Sequence, residues 1–375
     1  MEIGISNFRV VHASGGDWRE LTEACINQLG DTQPGENIGF VYVTDTLDQN
    51  VRTIVDRLRR QTGISQWVGT VGFGICVSGI ELFDTPSIAI MLGRLPPDSF
   101  RVLPSITTKK NELPKEIVAW SKNHNPTLGI VHADPRAPGI EETLNMLQEH
   151  TGCFLVGGMT SSRGAHEQIS NDILDGGVSG ILFGSEIAVH TGLTQGCSPI
   201  GDIHLVTAAE ENVIYSLDNR PAFEVFKADI GDLLSRDLSR VMGYVHVAMP
   251  IEGSDKGDYL VRNLIGISPD DESIAVGEYL KPGDRVMFVR RDGASAIADL
   301  KRMVSDLKRR TPGVPKAAFY FSCVARGPNL FGRGSVELKT IQGILGERSL
   351  IGFFANGEIS NNRLYGYTGV LTLIG

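Results

Sequence analysis

The feature that most limits the fold of this chain is a unit of strand, helix and strand that recurs about ninety residues later. The first copy begins with the apolar run IGFVYV (38–43) and the second with LGIVHA (128–133). An amphipathic helix and another apolar run follow in each. Glycines recur at matching places, in the pairs Gly39 and Gly129, Gly63 and Gly152, Gly69 and Gly157, and Gly93 and Gly184. These separations, between 88 and 91 residues, indicate an internal repeat.

A third copy closes the chain. AFYFSC (318–323) matches the first strand, LIGFFANGEIS (350–360) the second and TGVLTLIG (368–375) the last, with a hairpin turn at Asn361 and Asn362. The complete unit is therefore strand, helix, strand and hairpin strand. Because strands alternate with helices and carry added hairpins, the pattern predicts an α/β fold of the mixed α+β kind, with helices flanking mixed β-sheets.

The positions of the copies also predict how the chain divides. Two copies precede residue 220 and one follows it, and a chain of 375 residues is long enough for two cores. We therefore expect an N-terminal domain over residues 1–222, with two copies of the unit, and a C-terminal domain over residues 223–375.

Composition argues against several classes of protein. The formal net charge is −9 without a basic block, which argues against nucleic acid as a partner. Five cysteines without a C-x-x-C pair argue against disulfides and structural zinc, and the eight histidines lack metal-ligand spacing. The segment MEIGISNFRVV (1–11) is not leader-like, and no apolar run is long enough to span a membrane. We expect a cytoplasmic protein without metal, cofactor or membrane contact.

The ends of the predicted strands are the candidate binding positions, since ligands of such sheets bind beyond the carboxyl ends of strands. In the third copy these ends carry Cys323, Arg326 and Glu358. An arginine recognises a carboxylate through its planar guanidinium, and a glutamate binds an ammonium group, so the pair suits a zwitterion such as an amino acid. The alternative is a structural ion pair between Arg326 and Glu358.

Cys323 raises a second hypothesis, an enzyme with a cysteine nucleophile, either a hydrolase or an acyl transferase. A catalytic thiol needs a base, and no histidine follows His246 in the sequence, so the base would have to come from another segment. A cysteine at a strand end is most often a small buried side chain. These considerations favour a residue that lines a pocket over covalent chemistry.

Two other loops contain small residues that let a ligand approach the backbone. The loop TQGCSPIGD (194–202) places Gly196 and Cys197 between two strands, and Gly158 lies at the end of the second strand of the second copy. We include these three residues in the candidate site.

Four segments are similar to the FIST domains, which occur as an N-terminal and a C-terminal domain. QGCSPIGDIHLVTAAEENVIYSLDNRPAFEVF (195–226) resembles the end of the N-terminal domain. The other three resemble the C-terminal domain: YLVRNLIGISPDDESIAVGEYLKPGDRVMFVRRD (259–292), FYFSCVARGPNLFG (319–332) and GFFANGEISNNRLYGYTGVLTL (352–373). The resemblance implies a cytoplasmic sensory module for a small ligand, with amino acids the proposed class, that signals through a separate protein.

The family's motifs in the third copy are kept, as Cys323, Arg326 and Gly327 in one loop and Asn356, Gly357 and Glu358 in the other. Two positions depart from the family pattern. Ser198 stands where members commonly have arginine, and GTVGFGIC (69–76) lacks the polar cluster of the family's first glycine-rich loop. A ligand that other members bind through those two loops need not be bound here.

Overall fold

A computed structural model describes residues 8–107, 113–235, 241–251 and 258–375. The described chain forms two compact units. The first contains the residues through Gln195 together with Ile297–Leu364 and Thr368–Gly375, and the second contains Gly196–Ala296 and Tyr365–Tyr367. These units are groups of residues in contact and do not test where the sequence divides into domains. The domain boundary between residues 222 and 223 therefore stays a prediction. Residues 1–7 of the segment examined for a leader lie outside the described residues.

The helices and strands alternate as the sequence predicts. The helices are α1 (Trp18–Leu29), α2 (Val51–Thr62), α3 (Lys115–His124), α4 (Ile140–Thr151), α5 (Ala222–Ser235), α6 (Gly293–Arg310), α7 (Pro328–Phe331) and α8 (Val336–Leu345). Strands of the first half are β1 (Phe8–Ser14), β2 (Ile38–Thr44), β3 (Trp67–Gly72), β4 (Gly74–Val77), β5 (Ile80–Phe83), β6 (Ser87–Gly93), β7 (Phe100–Ile106), β8 (Leu128–Ala133), β9 (Phe154–Met159), β10 (Gln168–Ser170), β11 (Ile173–Leu174), β12 (Val178–Phe183) and β13 (Val189–Gln195). The remaining strands are β14 (Cys197–Glu210), β15 (Val213–Leu217), β16 (Arg220–Pro221), β17 (Val245–Pro250), β18 (Tyr259–Ser268), β19 (Ser273–Val276), β20 (Arg285–Arg291), β21 (Ala317–Cys323), β22 (Leu350–Ala355), β23 (Glu358–Ser360), β24 (Arg363–Tyr365) and β25 (Thr368–Ile374).

Local sequence signals set the helix ends. Asp17 caps α1 and forms a capping box with Glu20, which satisfies backbone N–H groups that the first turn leaves without partners. Gly63 and Gly152 end α2 and α4 in left-handed conformations with φ of 72° and 73°, which glycine adopts without steric cost. Among the described helices, none has the length and apolar content needed to cross a bilayer.

Apart from Tyr365–Tyr367, all three copies of the repeat lie in the first unit, and their helices and mixed sheets confirm the predicted fold class. Each copy has a first and a second strand in parallel, and a last strand antiparallel to the first. A strand and a helix that the repeat analysis left out precede each copy, namely β1 with α1, β7 with α3, and β13 with α6. The main segment of the second unit lies before the third copy in the sequence, between β13 and most of α6.

The hairpin of each copy pairs with another copy and so links the three sheets. The first copy's strand β4 pairs with β22 of the third, the third copy's β23 pairs with β9 of the second, and the second copy's β10 pairs with β3 of the first. The exchange is cyclic, because each copy donates one hairpin and receives one. We call this arrangement the hairpin ring.

Equivalent residues of the three copies meet in one core. The rings of Tyr42, His132 and Phe321 lie with centroids 5.5 to 6.5 Å apart, and the hydroxyl of Tyr42 is 3.0 Å from Nε2 of His132. These three residues occupy equivalent positions in the first strands of the three copies. A Cβ on Gly157 would lie 1.9 Å from the carbonyl oxygen of Val131, so this close parallel pairing requires glycine.

The second unit is built on one sheet of its own, in the order β14-β20-β17-β18-β19-β15-β16, with a further pairing of β14 to β15 that makes it barrel-like. Helix α5 packs on this sheet, where Phe226 contacts Phe288 with ring centroids 4.9 Å apart. The core of the second unit lies between this helix and the sheet.

Candidate functional site

The candidate residues of the third copy come together where β21 and β22 end and β23 begins. Cys323 is the last residue of β21, and Glu358 is the first residue of β23. Glu358 lies opposite Gly158 of β9, so the second and third copies both contribute. The hairpin ring therefore brings Gly158 to the strand ends that the sequence singled out. Gly196 and Cys197 belong to the second unit, where the hydroxyl of Tyr259 donates a hydrogen bond of 2.6 Å to the carbonyl of Cys197.

Small residues are required where β9 approaches the loop before β23. A Cβ on Gly158 would lie 2.5 Å from the Cβ of Ala355 and 3.1 Å from the carbonyl oxygen of Gly357. The N–H of Met159 donates to Gly357, and the N–H of Asn356 donates to Met159, both at 2.9 Å. The side chain of Asn356 is exposed. The backbone of β9 therefore packs directly against the backbone of the loop before β23, and Asn356 lies on the solvent-exposed side of that loop.

Arg326 is completely buried and forms an ion pair with Glu337 of α8, which the sequence analysis did not single out. Nε and Nη2 of Arg326 lie 2.7 and 2.6 Å from Oε1 of Glu337. Oε1 and Oε2 also accept hydrogen bonds from the hydroxyls of Tyr320 and Ser322 and from the N–H of Gly327. Burial lowers the pKa of Arg326, but Glu337 outweighs burial and raises it. Both groups are charged, and the pair is neutral overall.

A sequence signal for Glu337 existed in the helical spacing. The buried apolar face of α8 consists of Leu338, Ile341 and Leu345. Glu337 lies four residues before Ile341 and is therefore on the same face of the helix. A glutamate on a buried face needs a cationic partner, and Arg326 is eleven residues away in the sequence.

Glu358 is also completely buried, but its charge is not balanced in the same way. Its Oε2 accepts hydrogen bonds from the N–H and the hydroxyl of Thr368, at 3.0 and 2.7 Å. Burial raises the pKa of Glu358 to about 8, against the lowering effects of Thr368, Arg326 and the Cys323 thiol. Glu358 is therefore protonated at neutral pH, next to an ion pair that is already complete.

Glu81 is a third carboxyl group beside the Arg326–Glu337 pair. It comes from β5 of the first copy, and its Oε1 accepts a hydrogen bond of 3.2 Å from the N–H of Leu338 at the start of α8. Burial and the negative charge of Glu337 raise the pKa of Glu81 to about 7. We call Glu81, Arg326, Glu337 and Glu358 the buried charge cluster.

The thiol of Cys323 has the surroundings of a buried side chain. It is 7% exposed and hydrogen-bonds to the carboxyl group of Glu358. The other four cysteines are buried as well, and no cysteine forms a disulfide in the described part of the chain. In residues 8–107, 113–235, 241–251 and 258–375, no group of three or more histidine, cysteine, aspartate or glutamate side chains is arranged to hold a metal ion.

Comparison with known proteins agrees with this architecture. The family model described as FIST N domain matches residues 37–220, and the FIST C domain model matches residues 222–361. The chain is 32% identical over 330 residues to the Mycobacterium tuberculosis protein named "Uncharacterized protein Rv0628c", which covers 82% of each chain. It is 31% identical over 246 residues to "Uncharacterized protein Mb0898c" of Mycobacterium bovis, which covers 61% of this chain and 64% of that protein. The chain belongs to the FIST family.

Proposed function

We propose that this protein is a sensory module for a small zwitterionic ligand, such as an amino acid, that binds at the buried charge cluster. FIST domains are in general sensory and signal-transduction domains that bind small ligands. The proposal includes a cytoplasmic location and a separate signalling protein that receives the signal. It assigns binding of the ligand to Arg326 and Glu358, with Cys323, Gly327, Asn356, Gly357 and Gly158 around them. Gly196 and Cys197 of the second unit are assigned a binding role from the sequence alone, as small residues in a loop between two strands.

The observation that carries the proposal is the complete burial of Glu358 near Arg326. A carboxyl group that is completely buried and has a pKa of about 8 holds a proton at neutral pH. An ammonium group that reaches Glu358 favours the ionised carboxylate, since an opposite charge at close range lowers the pKa of an acid. Ligand binding at this position therefore releases a proton from Glu358.

The carboxylate of the ligand must bind to an arginine that is already paired with Glu337. Nε of Arg326 already donates to Oε1 of Glu337, and Nη2 lies 2.6 Å from the same oxygen, so the ligand carboxylate binds at the guanidinium together with Glu337. A guanidinium has five N–H groups and accommodates two carboxylates. Because the cluster is buried, the loops at the strand ends open for the ligand to enter.

The test is a thermal-shift screen of the twenty amino acids on wild type and on Glu358→Gln. Glutamine keeps the size and the neutral charge of the protonated glutamate, so the variant should fold as wild type does at pH 6. A ligand that binds only the folded state raises Tm by mass action, and this increase should be lost in Glu358→Gln. Glu149→Gln, at an exposed position of α4, is the matched control and should keep the full increase.

Two further measurements separate the parts of the proposal. For any amino acid that raises Tm, the corresponding amine should retain part of the effect and the corresponding acid should lose it. Calorimetric titrations at pH 7 in two buffers of different ionisation enthalpy should show about one proton released per ligand bound. If no amino acid raises Tm, or if Glu358→Gln responds as wild type does, the assignment is wrong.

A further inference from the structure

The second unit contains a histidine held between two carboxylates, far along the sequence from the buried charge cluster. Nδ1 of His204 lies 2.6 Å from Oδ2 of Asp218, and Nε2 lies 2.8 Å from Oδ2 of Asp229. Each carboxylate accepts a hydrogen bond only from a nitrogen that carries a proton, so this geometry is that of the doubly protonated imidazolium. The side chain of His204 is 11% exposed and is therefore still accessible to protons.

The two carboxylates come from different elements, and His204 joins them to the sheet. His204 lies on β14, Asp218 lies in the turn between β15 and β16, and Asp229 lies on α5. The backbone is shaped to allow this approach, because Gly201 has φ of 71° and a Cβ there would lie 2.3 Å from the carboxylate of Asp229. Asp218 itself has φ of 51°, in the left-handed region. Its Oδ1 also accepts a hydrogen bond of 2.9 Å from the N–H of Leu205.

We propose that His204, Asp218 and Asp229 form a proton-dependent clasp that holds α5 and the β15–β16 turn against β14. While both ring nitrogens are protonated, His204 binds both carboxylates. Loss of one proton leaves a lone pair facing one carboxylate oxygen, so that contact becomes repulsive. The clasp then opens on the side that loses its proton.

The other groups around His204 leave the two aspartates as the dominant charges. Strand β20 presents the ring of Phe288, with its centroid 6.2 Å from that of His204, and pairs Val286 with His204. Burial lowers the pKa of His204, but the hydrogen bonds to Asp218 and Asp229 and their charges outweigh burial and raise it. The hydrogen bonds from the N–H of Leu205 and from His204 lower the pKa of Asp218, and the charge of Arg220 adds a smaller lowering.

The direction of the pH effect follows from this raised pKa. The clasp is closed below the ordinary pKa of histidine, about 6.5. Between that value and the raised pKa, only the closed form holds the proton, so the equilibrium constant for opening increases by up to about tenfold per pH unit. Above the raised pKa, the contribution of the clasp to stability is lost.

The first experiment is nitrogen NMR of the full chain with 15N-labelled histidine, with the His204 signals assigned by comparison with His204→Gln. We expect two protonated ring nitrogens at pH 6 and loss of one proton at a pH above 6.5. A singly protonated ring for His204 at pH 6 would overturn the proposal. This measurement uses the wild-type protein and does not depend on whether a variant folds.

The second experiment is hydrogen exchange of residues 222–235, corrected for the intrinsic rate, at pH values from 6 to 9. In the wild type, protection should fall as the pH rises. In His204→Gln and Asp229→Asn, protection should be low at all pH values and independent of pH. Asp202→Asn changes an exposed aspartate near Gly201 and should behave as wild type. Equal protection of wild type at pH 6 and 9 would contradict the proposal.

Discussion

The second and third copies of the repeat both place an arginine–carboxylate pair after the first strand, but in opposite environments. In the second copy, Asp134 accepts hydrogen bonds from Arg136 at 2.7 and 3.0 Å, and the guanidinium is 52% exposed. In the third copy, Arg326 and Glu337 are both completely buried. An arginine–carboxylate pair therefore contributes little to stability where water solvates the guanidinium. Where water is excluded, the loss of one partner is strongly destabilising.

The difference in environment comes from the hairpin ring and from the helix that supplies the carboxylate. Asp134 and Arg136 are two residues apart, and Arg136 extends outward to Asp175. Arg326 instead reaches inward to α8, and Glu81 from the first copy's hairpin lies beside the same pair. The first two copies also bury a carboxylate after the first strand, Asp45 and Asp134, but the arginine partners of these two are about half exposed, whereas both Arg326 and Glu337 are buried.

The largest expected effect is that of Arg326→Ala. This change leaves the ionised carboxylate of Glu337 buried without its cation, and the loss of one partner of a buried ion pair typically costs about 3–5 kcal/mol. Urea unfolding at pH 7 measures the change in the free energy of unfolding. The double variant Arg326→Ala, Glu337→Gln should recover part of the loss, because it removes the uncompensated charge. A loss below about 1 kcal/mol in the single variant would mean that the buried pair behaves as an exposed one.

The second prediction concerns the pH dependence that Glu358 adds to stability. Its pKa is about 8 in the folded protein and about 4.3 in an unfolded chain. Between these values only the folded state holds the proton, so this contribution to stability is complete below about pH 4.3 and is lost as the pH rises through 8. The slope approaches about 1.4 kcal/mol per pH unit.

Urea unfolding of wild type and Glu358→Gln from pH 5 to pH 9 isolates this contribution, because the other titrating groups are common to both proteins. The free energy of unfolding of wild type should decrease with pH relative to that of the variant. Parallel curves for the two proteins would show that Glu358 has an ordinary pKa in the folded state.

The third prediction is the counterpart of the first, in the second copy. Arg136→Ala removes a guanidinium that is half exposed, and exposed ion pairs contribute about 0–1 kcal/mol. In the wild type, Arg136 keeps the pKa of Asp134 below its usual value although burial raises it. In the variant, Asp134 still accepts the hydrogen bond from the backbone N–H of residue 136. We expect a loss below about 1 kcal/mol that becomes smaller still in 1 M salt. A loss similar to that of Arg326→Ala would remove the distinction between the copies.

The smallest effect is expected at Cys323, which occupies the position of Asp134 in the repeat. Its thiol is 7% exposed and hydrogen-bonded, as expected for a residue that lines a site and not for a nucleophile. Alkylation of the native protein by iodoacetamide, followed by mass spectrometry, should label Cys323 no faster than the other four cysteines. Fast and selective labelling of Cys323 at pH 7 would favour the hypothesis of a cysteine enzyme.

The sequence predicted those features that depend on local pattern. Repeated glycines and apolar runs predicted the three copies, and two of these glycines, Gly63 and Gly152, end equivalent helices in the same left-handed conformation. Strand partners across copies were not predictable, because alternation of apolar residues shows that a segment is a strand but not which strand it joins. The pairing of β23 with β9 is one such case.

The candidate site shows the same limit. The sequence placed Arg326 and Glu358 near each other, and each affects the pKa of the other in the structure. It did not identify Glu337, since a charged residue in the first turn of a helix normally faces water. Deciding that this glutamate is buried requires the three-dimensional arrangement of β21 and α8. Whether Arg326 and Glu358 bind a ligand stays a prediction.

The hairpin ring also sets the order in which the protein can be completed during synthesis. The hairpin of the first copy pairs with Ile351, Gly352 and Phe353, whereas its own strands end at Phe83. That hairpin therefore waits for more than two-thirds of the chain to be translated before its partner strand exists. The two early copies leave the ribosome with unpaired edges, which are the surfaces most prone to aggregation. Completion of the third copy supplies β22 to the hairpin of the first copy and β23 to strand β9 of the second, so a nascent chain interrupted before β22 leaves both without these partners.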